Sequence, residues 1–340
     1  MTLRALLEKT RRGENLAETE AQTAFDGIFE GKAPDEEIAA FLTALADKGE
    51  TVEELLGAAR TMRGKMIAVA APPGAIDIVG TGGDGIGTYN ISTAAALVVA
   101  ACGVPVAKHG NRASTSRSGS SDLLAALGVN LGAETGVLER CLAEANICFL
   151  FANRHHPSMR RVAEIRKKLG RHTIFNLLGP LTNPANVKRH LIGVYELEAL
   201  GPMAEALRRL GSEAAWLAHG QDGMDEVTTT APTDIVALER GLVRHFEMTP
   251  EEFGIARARI DDLKGGNAAA NAAALKKLLA GEHNAYRDIV LFNSAAALVV
   301  AGRAGDVHQG LRLATEAVDN GTARHTLDLL VQLTNGLSAA

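Results

Sequence analysis

The chain has 340 residues, enough for two ordinary domains or one large one, and 46% of them are hydrophobic, which supplies a sizeable core. Aromatic residues make up only 4% and the formal net charge is -5, so the chain as a whole shows neither the stacking surface nor the basic surplus of a nucleic-acid binder. Cys102, Cys141 and Cys148 are an odd set in apolar surroundings with no CxxC spacing, which argues for reduced core thiols and against a disulfide framework or zinc site. The N-terminus carries acids and no long apolar core, unlike a signal peptide, and the apolar runs at 94–102 and 295–301 are too short to span a bilayer. The expected compartment is the cytoplasm.

Residues 1–70 read as helices only. Leu3, Leu6 and Leu7 recur at helical spacing, a second run covers 18–29, and a third follows Pro34 with Ile38, Phe41, Leu42 and Leu45 on one face. Thr51 and Glu54 have the spacing of a capping box and open a fourth helix. A linker is expected near 71–75, at Ala71-Pro72-Pro73-Gly74. Beyond it strands alternate with helices: a strand at 75–79, a helix at 92–102, a strand at 104–108, a helix at 122–127, a strand at 147–151, a basic helix at 159–169, and strands at 191–195 and 214–218. Helices are expected at 268–280, 293–301 and from 307 onward. The fold class is α/β: a small all-helical domain (1–70) plus a larger α/β domain (71–340) with a mainly parallel central sheet.

Four segments carry chemistry. The string from Gly80 to Thr88 lies between a strand and a helix, where glycine-freed backbone N–H groups and the helix N-terminus form an anion site. It satisfies GxGxxG, but no acid follows at dinucleotide spacing and the Walker Lys-Ser/Thr is missing. The bland alternative is a tight connector. The second segment, from Lys108 to Ser121, gathers cations and hydroxyls without an acid, where Ser120 or Ser121 is also expected to cap the next helix. The third, from Asp222 to Glu226, places adjacent carboxylates on a loop, hard oxygen ligands of the kind Mg²⁺ takes together with substrate phosphates; alone, it reads more readily as an acidic turn. The fourth sets Arg166 before the apolar stretch 173–184, where an arginine can hold a carboxylate against an apolar wall; a solvated helix face is its alternative.

Taken together, DIVGTGGDGIGTYNIST, KHGNRASTSRSGSSD, HPSMRRVAEIRKKLG, TIFNLLGPLTNP and DGMDEVT resemble the anthranilate phosphoribosyltransferase family, and the likeness runs nearly end to end, through GGNAAANAAALKKLLAG and DIVLFNSAAALVVAG. The resemblance implies the nucleoside phosphorylase/phosphoribosyltransferase-like fold, with the helical domain completed by helices around 160–190. It implies a homodimer through that domain, no nucleic-acid or membrane partner, and Mg²⁺-dependent transfer of phosphoribose from phosphoribosyl pyrophosphate to anthranilate. Carried over by motif, the donor-binding residues are Gly80, Gly83, Asp84, Thr88, Asn90, Ile91, Ser92, Thr93, Lys108, Asn111, Arg112, Ser116 and Ser120. The acceptor-binding residues are Gly80, His109, Asn111, His156, Arg166, Gly179 and Pro180, and the Mg²⁺ ligands are Ser92, Asp225 and Glu226. No covalent nucleophile or general base is expected. The chain departs from the family at Asn153, where a Pro is usual, and at His172, where an Arg is usual. Rival readings are a nucleoside phosphorylase, or a nucleic-acid-binding relative that has lost catalysis.

Overall fold

The computed structural model describes residues 1–112 and 117–336. Four helices, Leu3–Arg11, Glu18–Phe29, Asp35–Lys48 and Val52–Gly64, form an N-terminal bundle. Thr51 does cap the fourth: its side chain accepts from the Glu54 N–H while Glu54 reaches back to the Thr51 N–H. Glu54 is fully buried because it also accepts from the Leu16 N–H and pairs with Lys48 at 3.0 Å. That one carboxylate pins three parts of the bundle.

The larger part is built on seven strands: β1 (Ile76–Gly80), β2 (Val106–Gly110), β3 (Ile147–Phe151), β4 (Arg189–Gly193), β5 (Ala214–Gly220), β6 (Thr233–Glu239) and β7 (Leu242–Met248). Their order is β3-β2-β1-β4-β5-β6-β7, parallel through β5 and antiparallel beyond it. The chain runs outward from β1 to β3 and then returns to the other side of β1. The switch point therefore lies between β1 and β4, where open α/β sheets bind ligands.

Both faces of the sheet are covered, and alternation decides what each touches. Leu191, Trp216, Ala218, Ile235 and Ala237 join the apolar cluster made with helices Ile91–Ala101, Ala285–Val300 and Thr322–Thr334. Their alternates Ile192, Ala215, Leu217, Val236 and Leu238 join a second cluster. That cluster also holds the core of the N-terminal bundle and apolar residues of helices Met159–Leu169, Ile174–Leu181 and Leu200–Arg209. The bundle and one sheet face thus share continuous apolar packing.

Several elements differ from the sequence-based expectation. The β6–β7 hairpin was not expected; its turn is Arg240-Gly241, both at positive φ, and six of the seven β7 residues are not buried, which removes the usual alternation. Helices Thr135–Ala145 and Leu200–Arg209 were also not expected, although their apolar residues recur at helical spacing. Helix Ala285–Val300 begins well before 293, capped by Asn284. Neither Ser120 nor Ser121 is a cap: Gly119 occupies that position and Ser120 is the first helical residue. No helix among the described residues is long and apolar enough to cross a membrane.

Candidate active site

Glycines at 82, 83, 85 and 87 all have positive φ, so the loop after β1 turns repeatedly, a backbone of the kind that can form an anion-binding concavity. It feeds helix Ile91–Ala101, whose N-terminal dipole adds to it. The loop after β2 lies alongside. Ser120 donates to the Asn111 carbonyl at 3.2 Å, and Asn90 donates to the Ser118 carbonyl at 2.9 Å.

Asp225 and Glu226 follow β5 and are drawn under the first loop. Asp225 accepts from the Gly82 N–H at 2.7 Å, and Glu226 from the Ser92 N–H at 3.2 Å. A side chain at Gly193 would overlap the Asp225 backbone, so the absence of a Cβ there allows this approach. Burial pushes the Glu226 carboxyl up to about 8, and burial together with Asp84 and Glu226 holds Asp225 well above its ordinary range. Asp84 adds a buried Oδ2 with no hydrogen-bond donor. Lys108 offsets part of this charge; its Nζ donates to the Ile78 carbonyl at 2.5 Å and to Ser92 Oγ at 3.2 Å, and burial lowers its pKa. Asp222, the first acid of the same segment, instead closes a turn, accepting from the Met224 N–H, Thr228 and Thr230.

These groups line one cleft of about 1020 Å³, whose opposite wall comes from Met62 and helices Met159–Leu169 and Ile174–Leu181. Arg166 stands there half-buried, donating to Asn176 at 3.3 Å and lying 5.7 Å from the Phe175 ring centroid. Neither it nor its cleft neighbours Arg160 and Lys167 has an ion-pair partner among the described residues. Pro180 leaves helix Ile174–Leu181 without one N–H in its last turn, and the Gly179 carbonyl lies 3.1 Å from His109 Nδ1. A carbonyl only accepts, so His109 carries its proton on Nδ1. Burial keeps His109 well below its ordinary range and brings His156, 5.1 Å away centroid to centroid, to about 4. Both rings are neutral at pH 7.

Of the residues singled out in the sequence, Gly80, Gly83, Asp84, Thr88, Asn90, Ile91, Ser92, Thr93, Lys108, His109, Asn111, Arg112, Ser120, His156, Arg166, Gly179, Pro180, Asp225 and Glu226 all line this cleft. Ser116 lies outside the described residues. The sequence reading missed Asp77, fully buried beneath the cleft, which accepts from the His109 N–H at 3.0 Å and from Asn183 at 2.7 Å. Burial raises its pKa to about 6. It also missed Tyr89, Met159, Arg160 and Lys167 on the cleft wall. The two departures, Asn153 and His172, line the cleft as well; His172 packs on Tyr195 at 4.2 Å and faces Gly83 across the opening.

Comparison with known proteins agrees with this geometry. Residues 4–66 match a family model described as the helical bundle domain of a glycosyl transferase family, and residues 72–324 match its a/b domain. Anthranilate phosphoribosyltransferase of Methylocella silvestris is 55% identical over 336 residues, 99% of this chain and 96% of the relative. That of Azospirillum brasilense is 56% identical over 98% of this chain and 93% of the relative. The chain belongs to the anthranilate phosphoribosyltransferase family. The crystal structure of the Thermus thermophilus anthranilate phosphoribosyltransferase superposes with TM-score 0.91 at 41% identity, covering 97% of this chain and 99% of that one. The Saccharomyces cerevisiae anthranilate phosphoribosyltransferase in complex with PRPP and Mg superposes with TM-score 0.90 at 28% identity over 98% of each chain. The same yeast enzyme in complex with 4-fluoroanthranilate superposes with TM-score 0.88 at 26% identity over 99% of each. The resemblance read from the motifs and the fold class expected from them both hold.

The acid pair fits a divalent cation. Two adjacent carboxylates, both destabilised by burial and by Asp84 beside them, and Asp225 by Glu226 as well, gain from a positive ion. No group of three or more His, Cys, Asp or Glu side chains gathers as a metal cage among the described residues. The pair therefore suits Mg²⁺, which takes one or two carboxylates and completes its shell with substrate oxygens and water.

Proposed function

We propose that this cleft transfers the 5-phosphoribosyl group from phosphoribosyl pyrophosphate to anthranilate, giving N-(5-phosphoribosyl)anthranilate and pyrophosphate in tryptophan biosynthesis. The observation that carries the reading is convergence: two anion loops, a buried acid pair and an unpaired arginine over an apolar wall meet in one cleft. The loop at 80–88, the helix N-terminus after Asn90, and Lys108, Asn111, Arg112, Ser116 and Ser120 bind the donor. Asp225, Glu226 and the Ser92 hydroxyl would hold Mg²⁺, which would supply positive charge to offset that of the departing pyrophosphate.

The acceptor side orients. Arg166 takes the anthranilate carboxylate, and Gly179, Pro180 and Phe175 hold the ring. The aromatic amine is uncharged at neutral pH, so it attacks the sugar carbon without prior deprotonation. His109 and His156, kept neutral, accept hydrogen bonds without adding positive charge beside the cationic sugar. The new C–N bond forms as the C–O bond to pyrophosphate breaks, and the amine proton leaves afterwards to solvent. Orientation and leaving-group stabilisation carry the rate enhancement. The protein acts in the cytoplasm as a homodimer through the helical domain; light scattering at twice 35.7 kDa tests the latter.

Anthranilate fluorescence provides the assay. Its loss should require protein, phosphoribosyl pyrophosphate and Mg²⁺ together. Undiminished fluorescence with all three present rejects the reading.

A further inference from the structure

We propose that Asn271, which lies behind the cleft, is a positioning residue for the donor: its carboxamide fixes the orientation of Asn90 and so locks the two anion loops together. The inference rests on the reading of those loops as the donor site. Three hydrogen bonds run in series. The Gly266 N–H donates to Asn271 Oδ1 at 2.7 Å, Asn271 Nδ2 donates to Asn90 Oδ1 at 3.0 Å, and Asn90 Nδ2 donates to the Ser118 carbonyl at 2.9 Å. The series has one polarity only. It starts at a backbone donor and ends at a backbone acceptor, so neither amide can be reversed without setting oxygen against oxygen or N–H against N–H.

Two further features show that the arrangement is built. Asn271 is 2% exposed in helix Ala268–Leu279, an alanine-rich segment where asparagine works against helix propensity unless its amide is used. Asn90 is the N-cap residue of helix Ile91–Ala101, yet makes no side-chain cap bond. Its amide serves the relay instead. The same segment grips the rest of the donor loop: the Tyr89 N–H donates to the Leu263 carbonyl at 3.0 Å, the Gly265 N–H to the Gly87 carbonyl at 3.0 Å, and Thr88 pairs with Lys264. Residues 87–90 are thus docked along 263–271, and Asn90 passes that constraint to the loop carrying Asn111 and Arg112.

The discriminating variant is Asn271→Asp. It still accepts from the Gly266 N–H, so a residue that only closes that turn is undisturbed. Ionised, it offers Asn90 an oxygen where a donor stood and the relay fails; protonated, its O–H donates as the amide does and the relay survives. Donor affinity is therefore read at low and high pH against wild type, with Asn271→Ser, which cannot donate to Asn90 at any pH, alongside. Calorimetry with phosphoribosyl pyrophosphate and Mg²⁺, paired with steady-state kinetics and melting curves, reads the result. With the carboxyl ionised, losing the relay bond should weaken donor affinity about fivefold with the anthranilate KM near wild type, while the melting temperature falls because a buried carboxylate then faces an oxygen. A donor affinity changed by less than about threefold overturns the relay, as does an equal rise in both KM values. Should Asn271→Asp not fold, Asn271→Ser, too short to reach Asn90, takes its place with the same thresholds. Wild-type protein that binds no donor would overturn the donor-site reading itself, and the relay with it.

Discussion

Replacing Arg166 by alanine removes the half-buried cleft cation that lies beside Phe175 on the apolar wall, placed to hold a carboxylate. Among the described residues the guanidinium makes a single long hydrogen bond, 3.3 Å to Asn176, and a distant contact with Phe175. It has no ion-pair partner among the described residues, and desolvation lowers its pKa. The fold should therefore lose little, at most about 1 kcal/mol. A half-buried, unpaired cation is placed to gain from an incoming carboxylate. Loss of that charge-assisted contact should cost on the order of 2–3 kcal/mol, or roughly 30- to 150-fold in kcat/KM for anthranilate. The KM for phosphoribosyl pyrophosphate should stay near wild type. Lysine should rescue only in part, because it lacks the planar fork. Steady-state kinetics varying each substrate in turn decide the matter. An anthranilate KM within about twofold of wild type, far below the ~1.4 kcal/mol of a tenfold change, refutes the assignment and returns Arg166 to a solvated helix face.

Asp225→Asn with Glu226→Gln keeps oxygens to accept from the Gly82 and Ser92 N–H groups, so the double variant should fold and lose most turnover at limiting Mg²⁺; near-normal turnover there contradicts the metal assignment. Glu226→Gln also tests the electrostatics through pH. The folded carboxyl titrates at about 8 against an ordinary 4.5, so over that interval the folded state binds more protons than the unfolded and stability falls as pH rises. Ligand-free melting temperatures of the two proteins should agree near about pH 4 and separate towards about pH 8.5, the variant becoming the more stable; a gap independent of pH rejects the burial argument. Gly83→Val places a side chain at φ +89 against His172, and calorimetry should show donor affinity falling far more than acceptor affinity; unchanged donor affinity in a folded protein contradicts the anion-loop role.

Much of this was legible because glycine and charge report local needs. The string Gly80 to Gly87 declared a turning loop between strand and helix, and the structure bends it at four glycines with positive φ. Thr51 and Glu54 declared a helix start three residues apart, and both hydrogen bonds form. What sequence did not show was contact across distance. Asp77 and Asn183 meet 106 residues apart, and nothing near either announces it. Asn271 sits 181 residues from the asparagine it orients, inside an alanine-rich run that reads as plain helix. β7 was invisible for another reason: an edge strand exposed along most of its length has no alternation to read. Helix Thr135–Ala145 did have a signal, with Leu138, Cys141, Leu142 and Ala145 on one buried face.

The central claim is direct transfer within one cleft, and the balance of products tests it most directly. Phosphorus NMR of the protein with phosphoribosyl pyrophosphate and Mg²⁺, before and after anthranilate is added, follows pyrophosphate while fluorescence follows the acceptor. The account predicts no pyrophosphate burst without anthranilate, then one pyrophosphate for each anthranilate consumed. A burst equal to the protein concentration before the acceptor arrives, or pyrophosphate release uncoupled from anthranilate loss, would contradict it.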